Sequence, residues 1–222
     1  MAIEDSAHIT VAGAGIFGLW QALTLARAGH RVTLVEASAE PFAAAASRWA
    51  GAMLAPDCEA EAAPKIVRDL GRQSIGLWQS VDPALSVNGT LVVAAARDAA
   101  DLTRFANLTE RHQTLDANNI ATLEPALAGR FSQALFYPDE AHMDGISALH
   151  RLLQAVRAAG AEVRLGTPWD GQIGESAVVI DCRGYQARAE VPSLRGVRGE
   201  RLLVSSDDVT LGRPVRLLHP RQ

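Results

Sequence analysis

The feature that most limits what this chain can fold into lies near its start, where His8-Ile9-Thr10-Val11-Ala12 runs into Gly13-Ala14-Gly15-Ile16-Phe17-Gly18. A short β-branched run that stops at a glycine turn predicts a strand. Ile16, Leu19 and Leu23 then recur at helical spacing, and Gly29-His30 closes that helix. Arg31-Val32-Thr33-Leu34-Val35-Glu36 predicts a second buried strand. The three pieces make a βαβ unit of the expected size, about 30 residues. Within it Gly13 makes the tight turn, Gly15 lets the backbone reach a pyrophosphate, and Gly18 lets helix and strand pack closely. The helix N-terminus, opening at Ile16 and Phe17, offers unpaired N–H groups and a partial positive charge to the phosphates. Glu36, 18 residues after Gly18, stands where an acid accepts hydrogen bonds from ribose hydroxyls and repels a 2′-phosphate. The pattern predicts a dinucleotide site and disfavours a phosphorylated nicotinamide cofactor.

Composition narrows the setting. The 222 residues are 48% hydrophobic and 21% charged, which describes a globular chain with material for one large core or two small ones. The 21 basic and 25 acidic residues leave a net charge of −4, so no field gathers nucleic acid or an anionic membrane surface. Cys58 and Cys182 lie far apart and form no C-x-x-C pair, which excludes a disulfide scaffold and a cysteine-rich zinc site. No apolar run approaches the roughly 18 residues of a membrane span, and MAIEDSAH carries acids where a signal peptide carries bases. A reduced, cytoplasmic setting is the expectation. Lys65 is the only lysine, so a lysine-based covalent mechanism has a single candidate and no support around it.

Further along, Ala43 to Pro56 is small, Gly-containing and Pro-terminated, which predicts a loop with a short helical turn. Val67, Leu70, Leu77, Trp78 and Val81 predict a helix; so do Leu102, Phe105 and Ala106, and Leu149, Leu152, Leu153 and Val156 ahead of Gly160. Strands are expected at Thr90–Ala94, Ala134–Tyr137, Glu162–Leu165, Ala177–Ile180, Leu202–Val204 and Val215–Leu218. The early part is α/β and the late part leans to strands, with changes of character near Val81–Gly89 and His142–Ser147.

Spacing alone does not separate FAD from NAD. The run Ala46-Ser47-Arg48-Trp49-Ala50-Gly51-Ala52-Met53-Leu54-Ala55-Pro56 resembles the flavin-ring segment of the FAD-dependent D-amino-acid oxidase and glycine oxidase family. Gly89-Thr90-Leu91-Val92-Val93, Leu123-Glu124-Pro125, Val179 to Gly184, Val197 to Glu200 and Arg213 to Arg221 extend the likeness over essentially the whole chain, nearest to glycine oxidases of the thiamine-thiazole pathway. The resemblance implies an α/β fold: a Rossmann-type FAD-binding domain (1–82 and 144–196) interleaved with a mixed-sheet α+β substrate domain (83–143 and 197–222) whose C-terminal part is missing. It makes Gly13, Gly15, Ile16, Phe17 and Gly18 the pyrophosphate turn and Glu36 the ribose ligand. Ser47, Arg48, Gly51 and Met53 are placed beside the pyrophosphate and flavin, Trp169 at a main-chain contact to adenine, and Cys182 to Gly184 at a second glycine element. Ala52 stands where the family more often carries glycine.

The implied activity is oxidation of glycine or a small amino acid by hydride transfer to flavin N5, with O₂ as acceptor, giving imine and H₂O₂. The family grips the substrate carboxylate with a tyrosine and an arginine beyond the equivalent of Gln222, so no catalytic residue is assigned and the chain alone is expected to be inactive. Arg213, Arg216, Arg221 and Tyr137 are weak substitutes for that grip, because arginine is simply the base this sequence uses. His142 with Asp139, Glu140 and Asp144 is read as a polar turn rather than a metal site. Trp49, Trp78 and the two cysteines are read as packing residues. Expected partners are a small amino acid and O₂, with a second copy or a complementing C-terminal chain left open. The rivals are an NAD-dependent dehydrogenase, which would be colourless and protected by NAD, and a non-catalytic FAD-binding remnant or subunit.

Overall fold

The computed structural model describes residues 6–172 and 175–219. Its elements run β1 (His8–Ala12), α1 (Ile16–Arg27), β2 (Arg31–Glu36), β3 (Met53–Leu54), α2 (Pro56–Glu59), α3 (Lys65–Gln79), β4 (Thr90–Ala94) and α4 (Ala99–Leu108). They continue with β5 (Gln113–Asp116), α5 (Ala117–Leu123), β6 (Gln133–Tyr137), β7 (Ala141–His142), α6 (Gly145–Ala158), β8 (Glu162–Leu165), β9 (Val178–Asp181) and β10 (Val215–Leu218). They group into two compact units, Met1–Gly51 with Asp144–Leu202, and Ala52–Met143 with Leu203–Gln222.

The first unit is built on a parallel sheet in the order β8-β2-β1-β9. Strand alternation puts Ile9 and Val11 of β1 beside Val32 and Leu34 of β2, all buried, and α1 packs over β1, β2 and α6. Parallel pairing needs a crossover, and α1 supplies the one from β1 to β2. Helix α6 starts where the chain re-enters this unit, because the Asp144 carboxylate accepts the Ser147 N–H at 2.8 Å and caps it.

The second unit carries a mixed sheet in the order β10-β4-β6-β5, with β10 parallel to β4 and the other pairs antiparallel. Both faces are covered. Val92, Leu135 and Tyr137 pack with Cys58, Phe105 and Leu218, while Leu91, Val93 and Ala134 pack with Ile120 and Leu127. The expected strand at Thr90–Ala94 is buried along its whole length, as a strand between two apolar layers must be.

Three expectations meet a different arrangement. Residues 52–82, placed by the sequence reading with 1–51, group with the second unit, where β3 pairs with β7 (Met53 opposite His142) and Cys58 enters the core. Leu202, Leu203 and Val204 form no strand and are 88%, 80% and 82% exposed. Helix α3 forms where the periodicity put it, yet Val67, Leu70 and Leu77 face outward and Trp78 is its buried anchor.

Candidate functional site

The glycine turn sits at the carboxyl ends of β1 and β9. Gly13 has φ +101°, and a Cβ there would stand 2.6 Å from the Cys182 carbonyl oxygen, because β9 delivers Cys182 against the turn through Cys182 N–H to Ala12 O at 2.7 Å. A Cβ on Gly18 would overlap the Gly13 carbonyl. Those two glycines are demanded by the fold itself. Gly15 is not: its φ is −70°, and an added Cβ would meet only Ser47 Oγ at 3.8 Å and Ala45 Cβ at 3.9 Å, ordinary contact distances.

Gly15 is the N-cap of α1 and brings no side chain, so it caps none of the first-turn N–H groups. One of them, Ile16 N–H, donates to Ser47 Oγ at 3.3 Å. Ser47 lies on the 3₁₀ turn Ala46–Trp49, and the structure brings Gly15, Ile16 and Ser47 together. Phe17, next in the turn, is 77% exposed. Arg48 points its guanidinium to Glu40 at 3.1 Å and lies 5.6 Å from the Trp49 ring. Trp49 was expected to pack; it is 59% exposed, on a turn none of whose residues is buried. A Cβ on Gly51 would meet nothing within 4 Å, and Met53, in the second unit, is half exposed in the two-residue strand β3.

Glu36 ends β2 with its carboxylate held on both oxygens. Oε2 accepts Ala14 N–H at 2.8 Å and Oε1 accepts Ser38 N–H at 3.0 Å. A carboxylate has about four lone-pair sites, so two backbone bonds fix its direction and leave capacity for ribose hydroxyls. The main chain of Glu36 also receives Thr167 N–H at 2.8 Å, which sets Trp169 two residues further on. Past β9, Arg183 grips Asp181 with Nε to Oδ1 at 3.0 Å and Nη2 to Oδ2 at 2.8 Å. That guanidinium holds the Asp181 carboxyl below its ordinary range, while burial pushes the Cys182 thiol up. Gly184 then opens a 3₁₀ turn at φ +59°. Sequence reasoning missed Ala14 N–H and Ser38 N–H as the supports of Glu36, and no side-chain pattern reports backbone donors. Arg183 lies within the Cys182–Gly184 element that the resemblance marks, but its clamp on Asp181 was not named there.

The substitutes considered for a carboxylate grip are committed elsewhere. Arg213 bonds Glu124, Leu123 O and Asn88 O, and Arg216 bonds Glu61 at 3.1 Å and Cys58 O at 3.4 Å. Tyr137 is buried with its hydroxyl 2.6 Å from Thr109 Oγ1, and burial pushes its pKa up. Arg221 lies outside the described residues. Cys58 is 1% exposed and its thiol is pushed up by burial, the behaviour of a small core residue. Among the described residues, no three His, Cys, Asp or Glu side chains gather around a metal-sized site, and no helix is long and apolar enough to cross a membrane.

A parallel βαβ sheet with a glycine turn, a helix N-terminus that carries no side-chain cap and an acid at the end of the second strand is the arrangement of dinucleotide-binding α/β folds. The family model for FAD dependent oxidoreductases (DAO) matches residues 8–221, and the chain belongs to that family. It is 47% identical over 219 residues to ThiO of Rhizobium etli, a candidate thiamine biosynthesis oxidoreductase, covering 96% of this chain and 65% of that protein. Its fold is similar to glycine oxidase from Geobacillus kaustophilus, with a TM-score of 0.70 at 22% identity, over 84% of this chain and 59% of that one. The FAD-bound L-α-glycerophosphate oxidase of Mycoplasma pneumoniae gives a TM-score of 0.64 at 15% identity, over 85% of this chain and 57% of its own. The chain thus spans less than two thirds of the length of each of these relatives.

Proposed function

We propose that this chain holds FAD, and that the protein it represents oxidises glycine or another small amino acid with O₂ as acceptor, giving imine and H₂O₂ for thiamine thiazole synthesis. The observation that carries the cofactor part is Gly15: the fold tolerates a side chain there, so its absence answers to a ligand rather than to packing. The family and the likeness to ThiO support the redox part. FAD, when bound, supplies a hydride acceptor at flavin N5 that O₂ can reoxidise.

The chain's own residues do the holding. The first-turn N–H groups of α1 receive the pyrophosphate, with the helix dipole adding a partial positive charge. Ser47, which already accepts Ile16 N–H, keeps its hydroxyl proton free to donate to a phosphate oxygen. Glu36, fixed by Ala14 and Ser38, accepts the ribose hydroxyls. Gly51 leaves open space after the turn that carries Ser47, and Arg48 on that turn is paired with Glu40. Both cysteines are free, in keeping with a reduced cytoplasmic setting.

The test is FAD titration of purified wild type and Gly15→Ala, followed by flavin absorbance and by urea unfolding. Wild type should bind FAD. The variant should bind at least tenfold more weakly while losing less than about 1 kcal/mol of stability, the scale of an N-cap change. Equal binding by the two proteins would remove the argument.

A further inference from the structure

A strand-like run lies on the surface without a strand beside it. Residues 194–206 form no helix, strand or turn, and every residue from 188 to 212 is exposed, Leu202, Leu203 and Val204 among them. Among the described residues, no backbone–backbone hydrogen bond involves residues 195–211, and the backbone donor there that finds a side chain is Asp208 N–H, on Ser206 Oγ at 3.2 Å. Free N–H and C=O groups beside bare apolar side chains are the template on which another chain adds a strand. The run is also tethered. Arg201 Nη1 donates to Ala50 O at 2.8 Å, and Gly212 N–H donates to the two Glu124 carboxylate oxygens at 3.0 and 3.1 Å. A segment held near both ends loses less freedom when it pairs.

Charge selects the partner. Arg198 and Arg201 precede the apolar centre, and Asp207 and Asp208 follow it. A segment that runs basic, apolar, acidic is complementary to itself read backwards. With a two-fold axis at Leu203, antiparallel pairing sets Leu203 against its own copy, Leu202 against Val204, and Arg198 against Asp208, the last two pairs each occurring twice. In-register parallel pairing would instead set arginine against arginine and aspartate against aspartate. Moving the axis one residue, to Val204, would oppose Glu200 and Asp208, again like charges. Direction and register are thus both specified. The competing contact is the ion pair of Arg198 with Glu200 at 3.2 Å, whose two side chains are largely exposed, and such a surface pair is worth little.

We propose that residues 198–208 are a self-association strand, and that their partner is the same segment of a second copy, antiparallel about Leu203. The pairing gives the free backbone groups partners and covers Leu202, Leu203 and Val204 in one step. It also accounts for a sequence that predicts a strand in a segment where the single chain forms none. A two-stranded ribbon of this length is marginal by itself, so the dimer is weak and forms reversibly with concentration.

Sedimentation velocity over a wide range of concentrations, with hydrogen exchange of the full chain, tests this. Wild type should pass from monomer to dimer as concentration rises, with exchange at residues 202–204 slowing in step. Leu203→Asp sets like charges against each other at the axis and should weaken the dimer at least about tenfold. Its urea midpoint should stay that of wild type, because the side chain it replaces is exposed. Arg198→Asp and Asp208→Arg each oppose like charges and should each dimerise more weakly than wild type. Mixed, the two variants should form a heterodimer of near wild-type affinity, since every cross-strand pair is then opposite in sign. Rescue between molecules is something that no contact within one chain can produce. A wild type that stays monomeric, a Leu203→Asp dimer as tight as wild type, or no heterodimer on mixing overturns the proposal. So does a monomer whose amides at 202–204 are already protected, which would mean that the segment is covered within its own chain.

Discussion

Strands β1 and β4 are both five residues long and both lie inside four-stranded sheets, yet HITVA leaves His8 and Thr10 half-buried while TLVVA is buried throughout. The second sheet spends both faces on cores and pushes its charges into pairs with each other, Arg213 with Glu124 and Arg216 with Glu61. Glu124 and Glu61 keep only 3% and 5% of their side-chain surface exposed, so those pairs are structural. The first sheet spends one face on α1 and leaves Thr10, Thr33 and His8 on the other, with its glycine turn and Glu36 at the strand ends. Open α/β sheets bind ligands at the carboxyl ends of their strands. On the proposed reading the first unit carries the ligand chemistry, while the second commits its buried carboxylates to internal ion pairs.

The sharpest way to break that comparison acts on the glycine turn. In Gly18→Ala the added methyl collides with backbone, the Gly13 carbonyl, and not with a side chain that could swing away. The helix must shift off β1, which should cost at least about 3 kcal/mol and leave much of the protein unfolded. Gly15→Ala, three residues away, should cost less than about 1 kcal/mol. Urea unfolding of the two variants side by side measures the gap; comparable losses would mean that Gly15 too is a packing requirement.

A smaller effect is expected from the buried acid of the second unit. Glu140 is fully buried, and its Oε1 accepts Cys58 N–H at 2.8 Å. Burial pushes its carboxyl above the usual range, the Cys58 N–H and the Thr90 hydroxyl pull it back, and Asp57 adds repulsion. The folded state therefore keeps this proton at a pH where the unfolded chain has released it. Stability should fall as pH rises through the ordinary carboxylate range and level off above the folded value, by at most about 1.4 kcal/mol per pH unit for one proton. Glu140→Gln keeps the acceptor for Cys58 and removes the titration, so its unfolding free energy should lose that part of the slope. Identical slopes in variant and wild type would show that Glu140 is ionised in the folded protein.

What was legible in the sequence was local. The unit from β1 to β2 declares itself because a period of two gives way to a helical period across glycines whose spacing has a steric cause. Strand β5, Gln113-Thr114-Leu115-Asp116, does not, since three of its residues are exposed and its only assignment is pairing with β6. The position of β9 beside β1, and of β10 beside β4, depends on partners far away in sequence that no window contains. The site divides in the same way. Gly13, Gly15, Gly18, Glu36 and Ser47 could be named from spacing and resemblance, whereas the Arg183–Trp169 stack joins the connections after β9 and β8, the two outer strands of the sheet, and is visible only in three dimensions.

The smallest effect concerns a residue whose departure from the family pattern was noted without a cause. Ala52 has φ +55°, in the left-handed region that costs an L-residue about 1 kcal/mol and glycine almost nothing. The preference for glycine at this position thus has a backbone reason that needs no flavin: the chain turns there so that Ala52 O can accept Met143 N–H at 3.1 Å, next to the β3–β7 pair. Ala52→Gly relieves that strain but also gives the unfolded chain more freedom, which offsets part of the gain. The net stabilisation should be a few tenths of a kcal/mol up to about 1 kcal/mol, read as a rise in the urea midpoint with an unchanged slope. Destabilisation on replacing this alanine by glycine would mean that its methyl packs usefully, and that the turn at residue 52 is held by side-chain contact rather than tolerated by the backbone.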